Sequence, residues 1–223
     1  MDERSRKIMN SYYSDRLKKY GPTKESLVYR SEDQQLKRYA LLAAVEPISK
    51  DSSILDVGCG FGYFCDYLRK YNWTGEYTGI DINQDIIDEA KKRLPKDSFI
   101  CVDILEETFD KKYDYVFCGA TVQHRPKHVD PIIYLQNMVK KMFSCSMKAV
   151  AFDVFSGRAE FFKEDNLYIA PSDLLNFCFS LTGRVMLRND SRPYEMMMYL
   201  YKNTDKDEFN IYKKWIAPEP IIT

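Results

Sequence analysis

Apolar positions change their spacing twice along this chain, and the changes mark its elements. Ser31 precedes Leu36, Tyr39, Ala40 and Ala43, which recur at helical spacing. A helix capped by Ser31 that buries those four residues follows, and Pro47 ends it. Before it, residues 1–30 read as helical up to the break at Gly21-Pro22. From residue 52 the pattern shortens to strand-sized apolar runs alternating with helical ones. Ser53-Ile-Leu-Asp-Val57, Glu76-Tyr-Thr-Gly-Ile80, Ser98-Phe-Ile-Cys-Val102, Tyr113-Asp-Tyr-Val-Phe-Cys118 and Lys148-Ala-Val-Ala-Phe152 are the strands. Helical stretches between them carry Phe64 and Leu68, then Ile86, Ile87, Ala90 and Leu94, then Ile132, Leu135, Val139 and Met142. Strands alternating with helices in this way build a parallel sheet with helices on both faces. The tail differs. After a helix from about Ser172 to Leu181, two apolar runs ending in Arg188 and Tyr201 flank the turn Asn189-Asp-Ser-Arg-Pro193 and predict an antiparallel hairpin that closes the sheet edge. The expected fold is α/β, a three-layer sandwich with a mostly parallel seven-stranded sheet and the last strand antiparallel. It is expected to form one domain over residues 1–223, a helical cap at 1–48 on a core of alternating strands and helices at 49–223.

Charge and composition narrow the function. The 223 residues hold 33 Lys+Arg and 33 Asp+Glu. That balance argues against DNA as a partner and disfavours RNA, because binding nucleic acid draws on an excess of cations to displace counterions from phosphates. The chain starts on charged residues without an apolar leader, and no run approaches the ~20 apolar residues of a membrane span. A cytoplasmic protein with no membrane partner is expected. Six cysteines are scattered without a CxxC pair, which reads as reduced thiols and no metal site. Nothing in the sequence speaks to oligomeric state.

The chemistry sits after the first strand. Gly58-x-Gly60-x-Gly62 follows a strand and opens a helix, where glycines permit a tight turn and close approach of a ligand to the main chain. A dinucleotide fingerprint would need its third glycine at position 63, which is Tyr. The second and third strands lead into acids, Asp81 and Asp103. His124 and Arg125 follow the fourth strand by a few residues, at the sheet end where open α/β folds bind ligands. There the His124 imidazole could take a proton from an attacking oxygen or nitrogen or orient the substrate, or it braces a loop. Tyr12, Tyr13 and Tyr20 form either an aromatic lid over the substrate or ordinary packing.

Ile54-Leu-Asp-Val-Gly-Cys-Gly-Phe-Gly62, with Asp81, Asp103 and Gly119 at successive strand ends, resembles the class I S-adenosylmethionine-dependent methyltransferases. The resemblance covers residues 50–155 and implies S-adenosylmethionine as cofactor, with S-adenosylhomocysteine as product. It implies a cofactor loop of Asp56, Gly58, Cys59, Gly60, Gly62 and Phe64, with Asp56 in contact with the cofactor or bracing loop amides. Asp81 with Ile82 would meet the ribose hydroxyls, Asp103 with Ile104 the adenine, and Gly119 the methionine end. Among the cap residues Arg30, Gln35 and Arg38, Arg38 is assigned to the cofactor carboxylate, the alternative being a solvated helix face. No Asn/Asp-Pro-Pro-Tyr/Phe follows the fourth strand, which favours a small-molecule O or N acceptor. An RNA or protein methyltransferase, and a non-catalytic cofactor-binding module, are the alternatives.

Overall fold

A computed structural model describes residues 2–106, 109–192 and 194–202. Helix α1 spans Glu3–Tyr20 and α2 Glu32–Ala43. The core then runs β1 (Ile54–Val57), α3 (Tyr63–Lys70), β2 (Tyr77–Asp81), α4 (Gln84–Arg93), β3 (Ser98–Cys101) and β4 (Tyr113–Cys118). It continues with α5 (Pro131–Cys145), β5 (Ser146–Ser156), β6 (Tyr168–Ile169), α6 (Pro171–Phe179), β7 (Val185–Arg188) and β8 (Glu195–Tyr201). The sheet order is β3-β2-β1-β4-β5-β8-β7, with the two-residue β6 paired to β5. All pairings are parallel except those of β8 with β5 and β7. The expected three-layer plan is present, with two differences. An eighth strand, too short for any periodicity, adds to β5. And β8 lies inside the sheet while β7 takes its edge; Pro193, in the connecting turn, lies outside the described residues.

Alternation along the strands sorts the core to the two faces. In β8, Met196, Met198 and Leu200 join a cluster with Leu135, Val139 and Met142 of α5 and Leu174 of α6. Met197, Tyr199 and Tyr201 join the opposite cluster with Leu42 of α2, Phe64 and Leu68 of α3, and Ile87 and Ala90 of α4. All six cysteines are free thiols, five of them buried. No helix among the described residues is long and apolar enough to cross a membrane.

The helix α2 corrects the pattern reading. Ser31 does cap it, its side chain accepting from the Gln34 amide. Tyr39 and Ala43 are buried, but Leu36 is 38% exposed and Ala40 is also exposed. The inward face is instead Gln35, Arg38, Tyr39, Leu42 and Ala43. Polar residues turn inward because the sheet supplies them with partners. Arg38 lies only 5% exposed, its Nε 2.6 Å from Asp153 Oδ2 and its Nη2 2.6 Å from Glu195 Oε1. Glu195 also accepts from Arg192 Nη1 at 2.8 Å, and Arg192 Nη2 donates to the Gln34 carbonyl at 3.1 Å. Burial by itself would lower the Arg38 pKa; facing Asp153, with Glu195 beside it, holds it above its ordinary value. Arg38 is therefore the tie between the cap and β5–β8. Removing one partner of a buried pair strands the other charge. Asp153→Ala is expected to destabilise the protein by about 3–5 kcal/mol, read from urea unfolding.

Candidate active site

The strand order reverses between β1 and β4, and the loops leaving those two strands meet there, as at the ligand crevice of open α/β sheets. After β1 the chain turns back at once: the Gly58 and Cys59 amides donate to the Ile80 carbonyl at 2.8 and 3.0 Å. Gly58 has φ +74°, and a Cβ there would stand 1.9 Å from Thr121 Oγ1 of the loop after β4. Only glycine fits that approach. Gly62, at φ +77°, sits at the N-cap of α3.

A cavity open to solvent occupies this crevice. Of the residues singled out from sequence, Asp56, Gly58, Cys59, Gly60, Phe64, Asp81, Ile82, Asp103, Ile104, Gly119, Tyr13 and His124 line it. Gly62 does not; it starts the helix and packs against Phe99 and Leu94. Arg38 stands behind Gly119, where a Cβ would be 3.6 Å from its Cδ, and its charge is committed to Asp153 and Glu195 rather than to the cavity. Tyr12 and Tyr20 are 46% and 39% exposed, lie outside the lining, and stack with Arg16. Arg125 is exposed and also outside it. Of the three tyrosines only Tyr13 faces the site, its hydroxyl 2.8 Å from His124 Nε2.

Sequence reasoning missed much of the lid. Met9 and Asn10 of α1, Leu27 and Tyr29 of the α1–α2 connection, and Asn83 all line the cavity. Leu27 Cδ1 lies 2.8 Å from where a Gly60 Cβ would be, so the connection closes onto the glycine loop. Helical amphipathicity in α1 is weak, since its inward residues are polar ones with distant partners.

Comparison with known proteins agrees with this geometry. Residues 54–142 match the model of a family described as a methyltransferase domain. Over those residues, 89 of the 223, the chain is similar to a methyltransferase domain. A malonyl-[acyl-carrier protein] O-methyltransferase of Priestia megaterium is 35% identical over 77 residues, 34% of this chain and 28% of the relative. This match thus spans well under half of that curated relative's length. The structure of the DhpI–SAH complex superposes with a TM-score of 0.67 at 16% identity, covering 89% of this chain and 97% of the other. Magnesium protoporphyrin IX methyltransferase from Synechocystis PCC 6803, with bound SAH, gives 0.61 at 14% identity over 89% of this chain and all of the other.

The cavity holds its acids in unusual states. Asp56 is 5% exposed and accepts a hydrogen bond from the Tyr77 hydroxyl, not from loop amides. Burial pushes its carboxyl up to about 7; the Tyr77 bond opposes the shift and Asp81 adds to it. Asp81 is likewise raised by burial, against the pull of the Asn83 and Gly60 amides, which donate at 3.1 and 3.3 Å. Asp103 accepts from the Leu105 amide at 2.9 Å and lies 3.7 Å from Arg6 Nη2 of α1. Burial drives the His124 imidazole down to about 4; Asp165 opposes this and Arg38 reinforces it, so His124 is neutral at pH 7. Burial raises the Tyr13 hydroxyl well above its ordinary value.

Asp56 holds its proton more tightly folded than unfolded, so its contribution to stability is greatest in acid and declines as pH rises from the ordinary carboxylate range to about 7. Asp56→Asn removes that decline. In the ligand-free protein it is expected to raise Tm by several degrees at pH 8, by less at pH 5, and to leave it unchanged near pH 3, as read by calorimetry.

Proposed function

We propose that this protein transfers a methyl group from S-adenosylmethionine to a small, uncharged oxygen or nitrogen acceptor. The observation that carries the reading is the pair of buried acids, Asp56 and Asp81, with raised pKa values beside a glycine loop. Buried carboxylates are costly unless a cation meets them. A cationic, ribose-bearing ligand fits these residues. Asp81 would accept from the ribose hydroxyls, Asp103 and Ile104 would meet the adenine, and Asp56 and Gly119 the methionine end. When bound, S-adenosylmethionine supplies a methyl on a positively charged sulfur, already activated for direct displacement. The chain therefore has to align the partners and exclude water, which Leu27 and Tyr29 do by closing the connection over the loop.

The acceptor side is aromatic. Tyr13, Tyr29, Tyr39, Tyr134 and His124 line the cavity with Met138 and would receive the acceptor. A carboxylate or phosphate acceptor would share the cavity with the acidic groups of Asp56, Asp81 and Asp103, and among the described residues no Lys or Arg lines it. Several basic residues of the cap turn elsewhere: Arg6 to Glu106 and Asp103, Lys7 to Glu3, Lys18 to Asp15 and Arg16 to the Glu25 and Ser26 carbonyls. These pairings also weigh against an RNA acceptor. Neutral His124 has Nε2 available to take a proton, and Tyr13 holds that nitrogen. In the proposed relay the acceptor's proton passes to Tyr13 Oη as the Tyr13 proton passes to His124 Nε2.

Titration calorimetry with S-adenosylmethionine and detection of S-adenosylhomocysteine release across a metabolite panel test the reading. Binding with no release from any acceptor would favour a cofactor-binding module. Asp81→Ala is expected to weaken S-adenosylmethionine binding by about 10- to 100-fold, since it removes hydrogen bonds to a charged group. Unchanged binding would sink the proposal. Tyr13→Phe and His124→Ala are each expected to lower kcat about 100-fold with little change in cofactor Kd. The double variant should lose no more than either single one, because both act in one relay.

A further inference from the structure

One end of the cavity offers almost nothing but acceptors. Asp81 Oδ1 and Oδ2 each take one backbone amide, which leaves lone pairs on both. Beside them stands Asn10 of α1, a lining residue whose Oδ1 is buried and has no hydrogen-bond partner. Its orientation is fixed from the other end of the amide, because Nδ2 donates to the Ile82 carbonyl at 3.1 Å. Flipping the amide would set oxygen against oxygen. Asn83 secures the same stretch of α1: its Nδ2 donates to the Asn10 carbonyl at 3.0 Å and to Ser14 Oγ at 3.1 Å, while its Oδ1 caps α4 at the Ile86 amide, 3.1 Å away. Ser14 Oγ in turn donates to Asp85 at 2.6 Å. A buried acceptor left without a donor costs free energy that a ligand can recover. What satisfies this cluster is a ligand bringing several donors at once, and a vicinal diol does so.

We infer that Asn10 Oδ1 accepts a hydrogen bond from a ribose hydroxyl of the bound nucleoside, so that α1 is part of the ribose site and not only a cover. The inference rests on the proposed cofactor. Asp81 receives the diol from the sheet side and Asn10 receives it from the lid. Occupancy then adds a bond between α1 and the core, next to those made by Asn83.

Calorimetry with S-adenosylhomocysteine, adenosine, 2′-deoxyadenosine and 3′-deoxyadenosine tests this. Asn10→Ala should weaken S-adenosylhomocysteine and adenosine by about 3- to 10-fold, the size of one neutral hydrogen bond. It should leave one of the two deoxynucleosides unaffected, the one lacking the hydroxyl that Asn10 receives. Ser14→Ala loosens α1 without touching the acceptor and should weaken adenosine and both deoxynucleosides equally. If Asn10→Ala also weakens all of them equally, Asn10 is a clamp and the inference is wrong. If Asn10→Ala does not fold, hydrogen exchange on the unmodified protein decides: residues 3–20 should gain protection with adenosine and less with the deoxynucleoside, and no gain with adenosine overturns the inference. Failure of S-adenosylhomocysteine to bind the unmodified protein would instead bring down the cofactor reading beneath it.

Discussion

The Asp153 carboxylate, 2% exposed near the carboxyl end of β5, is the contact on which the site depends. Its Oδ1 accepts the Ala120 amide at 2.6 Å, its Oδ2 accepts Gln123 Nε2 at 2.9 Å, and Arg38 Nε stands 2.6 Å from Oδ2. One side chain thus fixes the loop after β4 and the second helix of the cap. Ala120 has φ +61°, which costs an alanine roughly 1 kcal/mol or more. Such strain persists only where the surroundings impose it. Here the imposed turn presents Thr121 to Gly58 and carries the chain on to His124. With Glu195 and Arg192 the network holds two cations and two anions, so it buries charge without net charge.

That neutral knot contrasts with the cavity in front of it. Arg38 lies behind Gly119 with its charge already answered, so it does not cancel Asp56 and Asp81. The chain's even total of 33 cations and 33 anions conceals this separation. Structural cations are paired within the scaffold, while Asp56 and Asp81 face the cavity with no cation paired to them among the described residues. The same separation keeps His124 neutral: burial and the nearby guanidinium both disfavour its protonated form.

The chemistry of this fold was legible where local sequence dictates backbone. The glycine loop, Asp81 at the end of β2, Asp103 after β3 and His124 after β4 could all be placed because strand ends follow from apolar periodicity. The α2 face could not. Counting apolar positions puts Leu36 and Ala40 inside, but Gln35 and Arg38 face inward because their partners lie far along the chain: Arg38 pairs with Glu195, 157 positions away. Asn10 and Asn83 escaped notice for the same reason, since a polar residue's role depends on tertiary partners that carry no periodic signal. Tyr12, Tyr13 and Tyr20 look alike in sequence. Only the docking of α1 decides that Tyr13 meets His124 while the other two stack with Arg16.

The docking of α1 also ties the two ends of the cavity together. Asn10 and Tyr13 are three residues apart and share a helix face. Asn10 meets the loop after β2, and Tyr13 meets His124 beyond β4. A rigid helix cannot shift at one of these contacts without moving the other. Any ligand that draws Asn10 toward the sheet therefore also sets the distance from Tyr13 to His124. On the proposed reading, water exclusion at the nucleoside end and proton handling at the acceptor end would become one structural event, and the helix that sequence reads as part of a cap would be the element that joins them.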